Sequence, residues 1–528
     1  MGKELVKLSR VLGLFIVMVL FQNCGEMQSN QANNSSFSGP AYFKMGKTGL
    51  QKLSKYQLKI SLEEIFSVDL GTSEDDIPAD PPSATYFRND SNAVAFNLQI
   101  IENYHKFALS YSKKLIADQN WFTQIAQCNP MSPADEACLR QLILNLGLKL
   151  LRRPVGSDEA DDYVLKFSTF SQQDNDFFSG VEAVLMMFLQ HPEFIYRIEK
   201  VVGGVLDDYS IASRMSFFVW GSFPDDELYN AAASGKLQSA TERLMQVERM
   251  LNDPKALRQV KDFHARWFGY DLRVLPANID QDARLETEKL LEKVLFEQKL
   301  PWLEIFNSNE TYLTPNLAQH YGMTLSSNQA GWVNYQPNQR GGGLLSHATI
   351  ASLGDKFNDT SPTLRGYELF KRLFCGELEG TIPPGVDVDF PPGDPNECKE
   401  DTYFMRGQAV CAKCHAVMDN IGFGLENIGA FGEYRKTQVS NSSCNISGQG
   451  SYKNKNFIGP TEFGKILTNN QEVRLCLGRQ LFESFVGRKA ELDDEGAVRA
   501  LQQHYDKGPS YQEMIKFMIQ SEEIKYKN

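Results

Sequence analysis

The sequence has no surplus of positive charge. Its 54 Lys and Arg stand against 66 Asp and Glu, a net charge of −12. No basic face can neutralise a row of phosphates, which argues against nucleic acid as a partner. After residue 24 there is no long apolar run, whereas a membrane-spanning helix needs about 20 apolar residues. There is also no Walker loop, no Rossmann fingerprint and no G-x-S-x-G elbow. Histidine is scarce, at seven residues. His264, in FHARWF, has no second histidine at a metal-binding spacing and reads as a packed residue. With 42% hydrophobic residues, the chain nevertheless has the composition of a globular protein, with length for three or four domain-sized units.

What is present starts at the N-terminus. Lys3, Lys7 and Arg10 precede an unbroken apolar run from Val11 to Phe21, and Cys24 follows. The run is too short for a permanent span and suits the apolar core of a signal peptide. A cysteine just beyond it resembles a lipoprotein cleavage site, with Cys24 as the lipidated first residue. Phe21 and Asn23 stand where leucine and a small residue are usual, so an uncleaved anchor or an ordinary signal peptide is the alternative. Residues 25–45 are polar and low in complexity, and read as a tether. The expectation is an exported protein, lipid-anchored in the cell envelope, in the periplasm or on the outer membrane.

The stretch QAVCAKCHAVMDNIG contains the one C-x-x-C-H motif of the chain. This is the attachment signature of c-type haem. Two thiols on one helical turn each form a thioether to a haem vinyl group, and the next residue brings its imidazole to the iron. Cys411 and Cys414 would attach one covalent haem c, and His415 would be the proximal iron ligand. Candidates for the distal position are Met405, six residues before Cys411, and His347, in GGGLLSHATIASL, although a packed core or surface residue is the favoured reading of each. Met418 lies one turn beyond His415 and would pack at the ring edge. Arg365 and Arg435 are candidate partners for the haem propionates, against the alternative of solvated surface charges. A zinc site of Cys411, Cys414, Cys444 and Cys476 has the right inner spacing, but it strands His415 and spans a long gap.

With Cys24 given to lipid and two cysteines to the motif, six remain, an even number suited to an oxidising compartment. Six cysteines allow 15 pairings. Nearest neighbours suggest Cys128–Cys138, Cys375–Cys398 and Cys444–Cys476.

Apolar residues recur at helical spacing through most of the chain. Residues 46–70, 99–126 and 136–170 read as helices, the last broken at Arg152-Arg153-Pro154. Residues 179–200 follow, with a stop near Pro192. Asp207 or Asp208 can cap a helix to Trp220. Asp225, Asp226 and Glu227 open another, and helix-start electrostatics explains these carboxylates better than an acid–base pair. Residues 240–271 and 280–309 are again amphipathic, Ser361-Pro362 starts a helix, residues 440–460 suit a small hairpin, and 461–526 return to helices. The fold class is mainly α: a multi-domain helical body followed by a C-terminal cytochrome c-like haem-binding region. The segments are a signal peptide (1–24), the tether (25–45), an N-terminal helical unit (46–125), a unit with the Arg-Arg-Pro motif (126–200), a central domain (201–335), the haem-binding domain (336–440) and a C-terminal helical domain (441–528).

Several stretches together resemble a bacterial multi-domain c-type haem protein family made of consecutive domains of unknown function, numbered 1587, 1595, 1592, 1588 and 1585. KLSKYQLKISLEEIF is similar to the first and LKLLRRPVGSDEADDYVLKF to the second. LQHPEFIYRIE with DDYSIASRMSFFVWGSFPDDELYNAAASGKL is similar to the third. RGGGLLSHATIAS, TSPTLRG and CAKCHAVMDNIGFGLENIGAFGEYR are similar to the fourth, and GPTEFGKIL with LCLGRQLFESFVGR to the fifth. The resemblance implies domain order, export and a haem, and names no substrate. Asn420 departs from it, where proline is usual, and so does Met405, near where many members have histidine.

Two functions follow as expectations. One is a monohaem protein that transfers electrons to a redox partner protein, or serves as the redox centre of a surface oxidoreductase. The other is a helical surface module that binds a polymer or protein partner, with the haem or a metal as a structural staple.

Overall fold

The computed structural model describes residues 49–91, 97–336, 339–356, 359–378, 397–404 and 411–526. The expected signal peptide and tether, with Cys24, and Met405 lie outside the described residues. Those described form 21 α-helices and ten short strands in five antiparallel pairs, so the mainly α expectation holds. None of these helices is long and apolar enough to cross a membrane. The chain divides into two compact units. The first takes the described residues up to Ala256 with Glu483–Asp494 and the stretch from Ile519. The second takes Leu257–Phe482 with Glu495–Met518.

In the first unit, local chemistry sets the helix starts. Ser54 accepts from the Gln57 amide while the Gln57 side chain accepts from the Ser54 amide, a reciprocal cap that begins the helix Lys55–Phe66. Asn97, Asp135, Asp176, Asp207 and Asp225 cap later helices one way only, each side chain accepting from a backbone amide of the first turn. The apolar faces meet around Phe66, whose ring is edge-on to Tyr111 at 5.9 Å and to Trp121 at 5.1 Å. The Arg-Arg-Pro break falls where the sequence places it. The helix Glu136–Leu151 ends at Arg152, which takes a left-handed backbone with φ of 59°. The Arg152 guanidinium is buried, donates to the carbonyls of Glu193 and Tyr196 and lies over the Phe223 ring. Asp225 and Glu227 both pair with Arg249, in keeping with their helix-start reading. Late residues close this unit: buried Arg243 donates to the carbonyls of Ile519 and Gln520, and Arg214 to those of Ile524 and Tyr526.

The second unit contains an aromatic core around His264. This histidine is fully buried. Its Nδ1 lies 2.7 Å from the Val260 carbonyl and its Nε2 accepts from Trp302 Nε1 at 2.8 Å. Trp267 stacks on Trp302 at 4.8 Å. The packed-histidine reading is therefore correct, and burial lowers its pKa to about 4. The 280–309 region differs from the single helix expected. The helix Asp280–Leu291 widens into a π turn at Glu292–Glu297, and a 3-10 segment Trp302–Phe306 follows Pro301. The expected hairpin is Gln449–Tyr452 paired with Lys455–Ile458.

Candidate functional site

Two helices of the second unit carry the C-x-x-C-H segment. Ser361 caps Pro362–Leu373 by accepting from the Leu364 amide, with Pro362 at the first position. The partner helix is Ala412–Phe423, with Cys411 as its N-cap residue. Glycines let the two backbones approach. A Cβ on Gly366 would lie 1.7 Å from the Met418 carbonyl oxygen, and one on Gly422 would lie 1.9 Å from that of Pro362. Buried Met418 thus packs its backbone against the neighbouring helix.

Cys411, Cys414 and His415 occupy the start of this helix and are all partly exposed. Neither cysteine is in a disulfide. His415 Nδ1 lies 2.9 Å from Asp419 Oδ2, one turn on. The other oxygen, Oδ1, accepts from Thr363 Oγ1 at 2.6 Å across the helix pair. An ionised carboxylate only accepts, so the ring proton belongs on Nδ1 and the Nε2 lone pair is left for a metal. Metal-ligating histidines are commonly held in this way by a carboxylate on the second nitrogen. Two thiols at one helix start, followed by a histidine with an available Nε2, fit a covalently attached haem.

Arg365 and Arg435 sit in an internal ion network. Glu426 is buried and accepts from Thr360 Oγ1 at 2.6 Å, Arg435 Nη2 at 2.8 Å and Lys399 Nζ at 3.2 Å. Burial alone would raise its pKa, but Lys399, Arg365 and Arg435 outweigh it and hold the carboxyl below the ordinary value. Arg435 also pairs with Asp359. Arg365 Nη1 is 3.6 Å from Glu426 and donates to the carbonyls of Leu425 and Ile428 at 2.7 and 2.8 Å. Both guanidinium groups brace the chain just after the motif helix, and neither is a solvated surface charge.

Of the two readings of His347, packed residue or distal ligand, the structure shows the packed one. It is fully buried, with Nδ1 at 3.1 Å from Thr287 Oγ1 and Nε2 at 3.4 Å from Thr311 Oγ1. Glu286 is 3.6 Å from the same Nε2. Both ring nitrogens already have protein partners, so the histidine is tied into this cluster and not presented as a distal ligand. Tyr321 donates to Glu286 at 2.7 Å. Burial raises the Glu286 pKa to about 7, against the pull of Arg340, Thr311 and Tyr321.

The cysteine pairing is corrected in part. Cys128–Cys138 forms as expected, but the other four pair as Cys375–Cys476 and Cys398–Cys444. Cys375 follows the helix Pro362–Leu373, and its thiol meets Cys476 on the helix Gln471–Val486. Cys398 precedes the helix Lys399–Phe404, where it meets the loop that carries Cys444. Proximity in space, not in sequence, decides the partner. These bonds consume Cys444 and Cys476, so the four-cysteine zinc site cannot form.

Sequence reasoning missed Asp419 and Thr363. The i, i+4 spacing of His415 and Asp419 on one helix was the available signal; nothing in sequence pointed to Thr363.

Family models match three consecutive stretches. Residues 138–199 match a protein of unknown function (DUF1595), residues 206–323 another (DUF1592) and residues 340–438 a third (DUF1588). The chain belongs to the family of these consecutive domains. The motif helix, the glycine contacts and the Glu426 network all fall within the third stretch. No curated protein and no solved structure matches the chain.

Proposed function

We propose that this family member is a monohaem c-type protein, exported and lipid-anchored through Cys24, that transfers electrons or forms the redox centre of a surface oxidoreductase. The observation that carries this reading is the state of the motif. Six other cysteines are bound in disulfides, while Cys411 and Cys414 are left out of them beside His415, whose Nδ1 is held by Asp419. Cys411 and Cys414 would attach the haem and His415 Nε2 would ligate the iron. The group would supply a one-electron centre, with its potential set by axial ligation, burial and hydrogen bonding. The chain would exchange electrons with a redox partner protein, and the lipid would hold it at a membrane surface.

The test is a haem stain on a denaturing gel with a reduced-minus-oxidised spectrum, on protein matured in a host that assembles c-type haem. A stained band that survives denaturation is expected, and C411S/C414S should abolish it. A low-spin spectrum directs attention to an electron-transfer partner; a high-spin spectrum directs it to chemistry on a small ligand. Absence of covalent haem would overturn the reading and favour a helical binding module. Cys24→Ala should move the protein from the membrane to the soluble fraction.

A further inference from the structure

The hydrogen-bonded line Thr363–Asp419–His415 crosses from one helix to the other and ends at the ring nitrogen opposite the metal-binding one. Each link has a stated geometry: 2.6 Å from Thr363 Oγ1 to Asp419 Oδ1, and 2.9 Å from Asp419 Oδ2 to His415 Nδ1. Asp419 is 8% exposed, so solvent screens it little. Its carboxylate also lies beside the first turn of Pro362–Leu373, where Thr363 is the second residue, and a helix start favours negative charge.

We infer that Asp419 is a positioning residue that fixes the ring and tautomer of His415 and makes it a more electron-rich iron ligand, with Thr363 moderating the carboxylate. This rests on the haem reading above. A carboxylate that accepts from Nδ1–H gives the imidazole partial anionic character, which stabilises ferric over ferrous iron and lowers the midpoint potential. The Thr363 hydroxyl draws on the same carboxylate from its far oxygen. Removing that donor leaves Asp419 a stronger acceptor for His415.

The two residues therefore have opposite signatures. Asp419→Asn keeps the shape and removes the charge, and should raise the midpoint potential. Thr363→Val removes the moderating donor and should lower it, while Thr363→Ser should restore the wild-type value. The measurement is a spectroelectrochemical titration of the full-length protein after haem maturation, with the haem stain run on each variant. Shifts of the same sign in D419N and T363V, or no shift in either, would overturn the inference while leaving the haem reading intact. A wild-type chain without stainable haem would overturn the parent reading instead. If D419N fails to fold, the T363V and T363S pair alone decides the matter, since a merely structural role predicts no signed shift with serine rescue.

Discussion

The carbonyl oxygen of Met418 lies where a side chain on Gly366 would begin, 1.7 Å from the position of its Cβ. The reciprocal contact between Gly422 and the Pro362 carbonyl makes this a two-point backbone contact between the helices that carry Thr363 and His415.

The contact predicts the sign of a substitution. By helix propensity alone, Gly366→Ala would stabilise by about 1 kcal/mol. The close approach predicts a net loss of about 1–3 kcal/mol instead, because backbone atoms on the partner helix would have to move. Urea denaturation of G366A and G422A checks this; a stabilised variant would contradict the packing.

Arg435 bonds Glu426 and Asp359, and Glu426 is buried. Arg435→Met leaves part of that negative charge uncompensated, and a cost of about 3–5 kcal/mol is expected. The loss should depend little on salt, since the pair is shielded from solvent. A cost below about 1 kcal/mol, the range of a surface pair, would remove the bracing role.

Glu286 gives the second unit a pH dependence. Its carboxyl has a pKa of about 7 in the folded chain against an ordinary 4.5. The folded state therefore binds more protons between these values. The stability contributed by the protonated acid is fully present below about 4.5 and is lost as pH rises through about 7. His264 acts oppositely: lowered from 6.5 to about 4, it favours folding as pH rises across that interval. Buried His347 and the lowered His191 and His504 act in the same sense as His264; above about 6.5 these contributions fade, and the difference between wild type and E286Q isolates the Glu286 slope. In that region E286Q should lose stability less steeply with pH than the wild type, as read from denaturation midpoints. Parallel curves would exclude Glu286 as the source.

The disulfides can be checked directly. Peptide mapping without reduction should recover Cys375 linked to Cys476 and Cys398 linked to Cys444. The 101-residue separation of the first pair predicts that C375S/C476S costs about 2–5 kcal/mol.

These cysteines also show where sequence reading stops. The helix starts at Asp207, Asp225 and Ser361 were legible, because a cap is chemistry within three or four residues. Cys128–Cys138 was legible because its loop is short. Cys375 and Cys476 are joined only because two distant helix ends meet, which no local pattern encodes. The partners of His347 were hidden for a related reason. Thr287, Thr311 and Glu286, all distant in sequence, enclose it. At the motif itself, residue types and spacing gave the two thiols and the histidine, and the i, i+4 carboxylate could have been added. Thr363 comes from another helix and required the fold.

The disulfides are nested: Cys375–Cys476 encloses Cys398–Cys444, which in turn encloses the segment from Cys411 to His415. A single backbone cut anywhere between Cys375 and Cys476 therefore cannot divide the molecule. Both fragments stay tied by the outer bond, and a cut inside the inner ring leaves two bonds holding them. The segment from Cys411 to His415 can be nicked by a protease and still remain part of one covalent body, parting only when a reductant opens the rings.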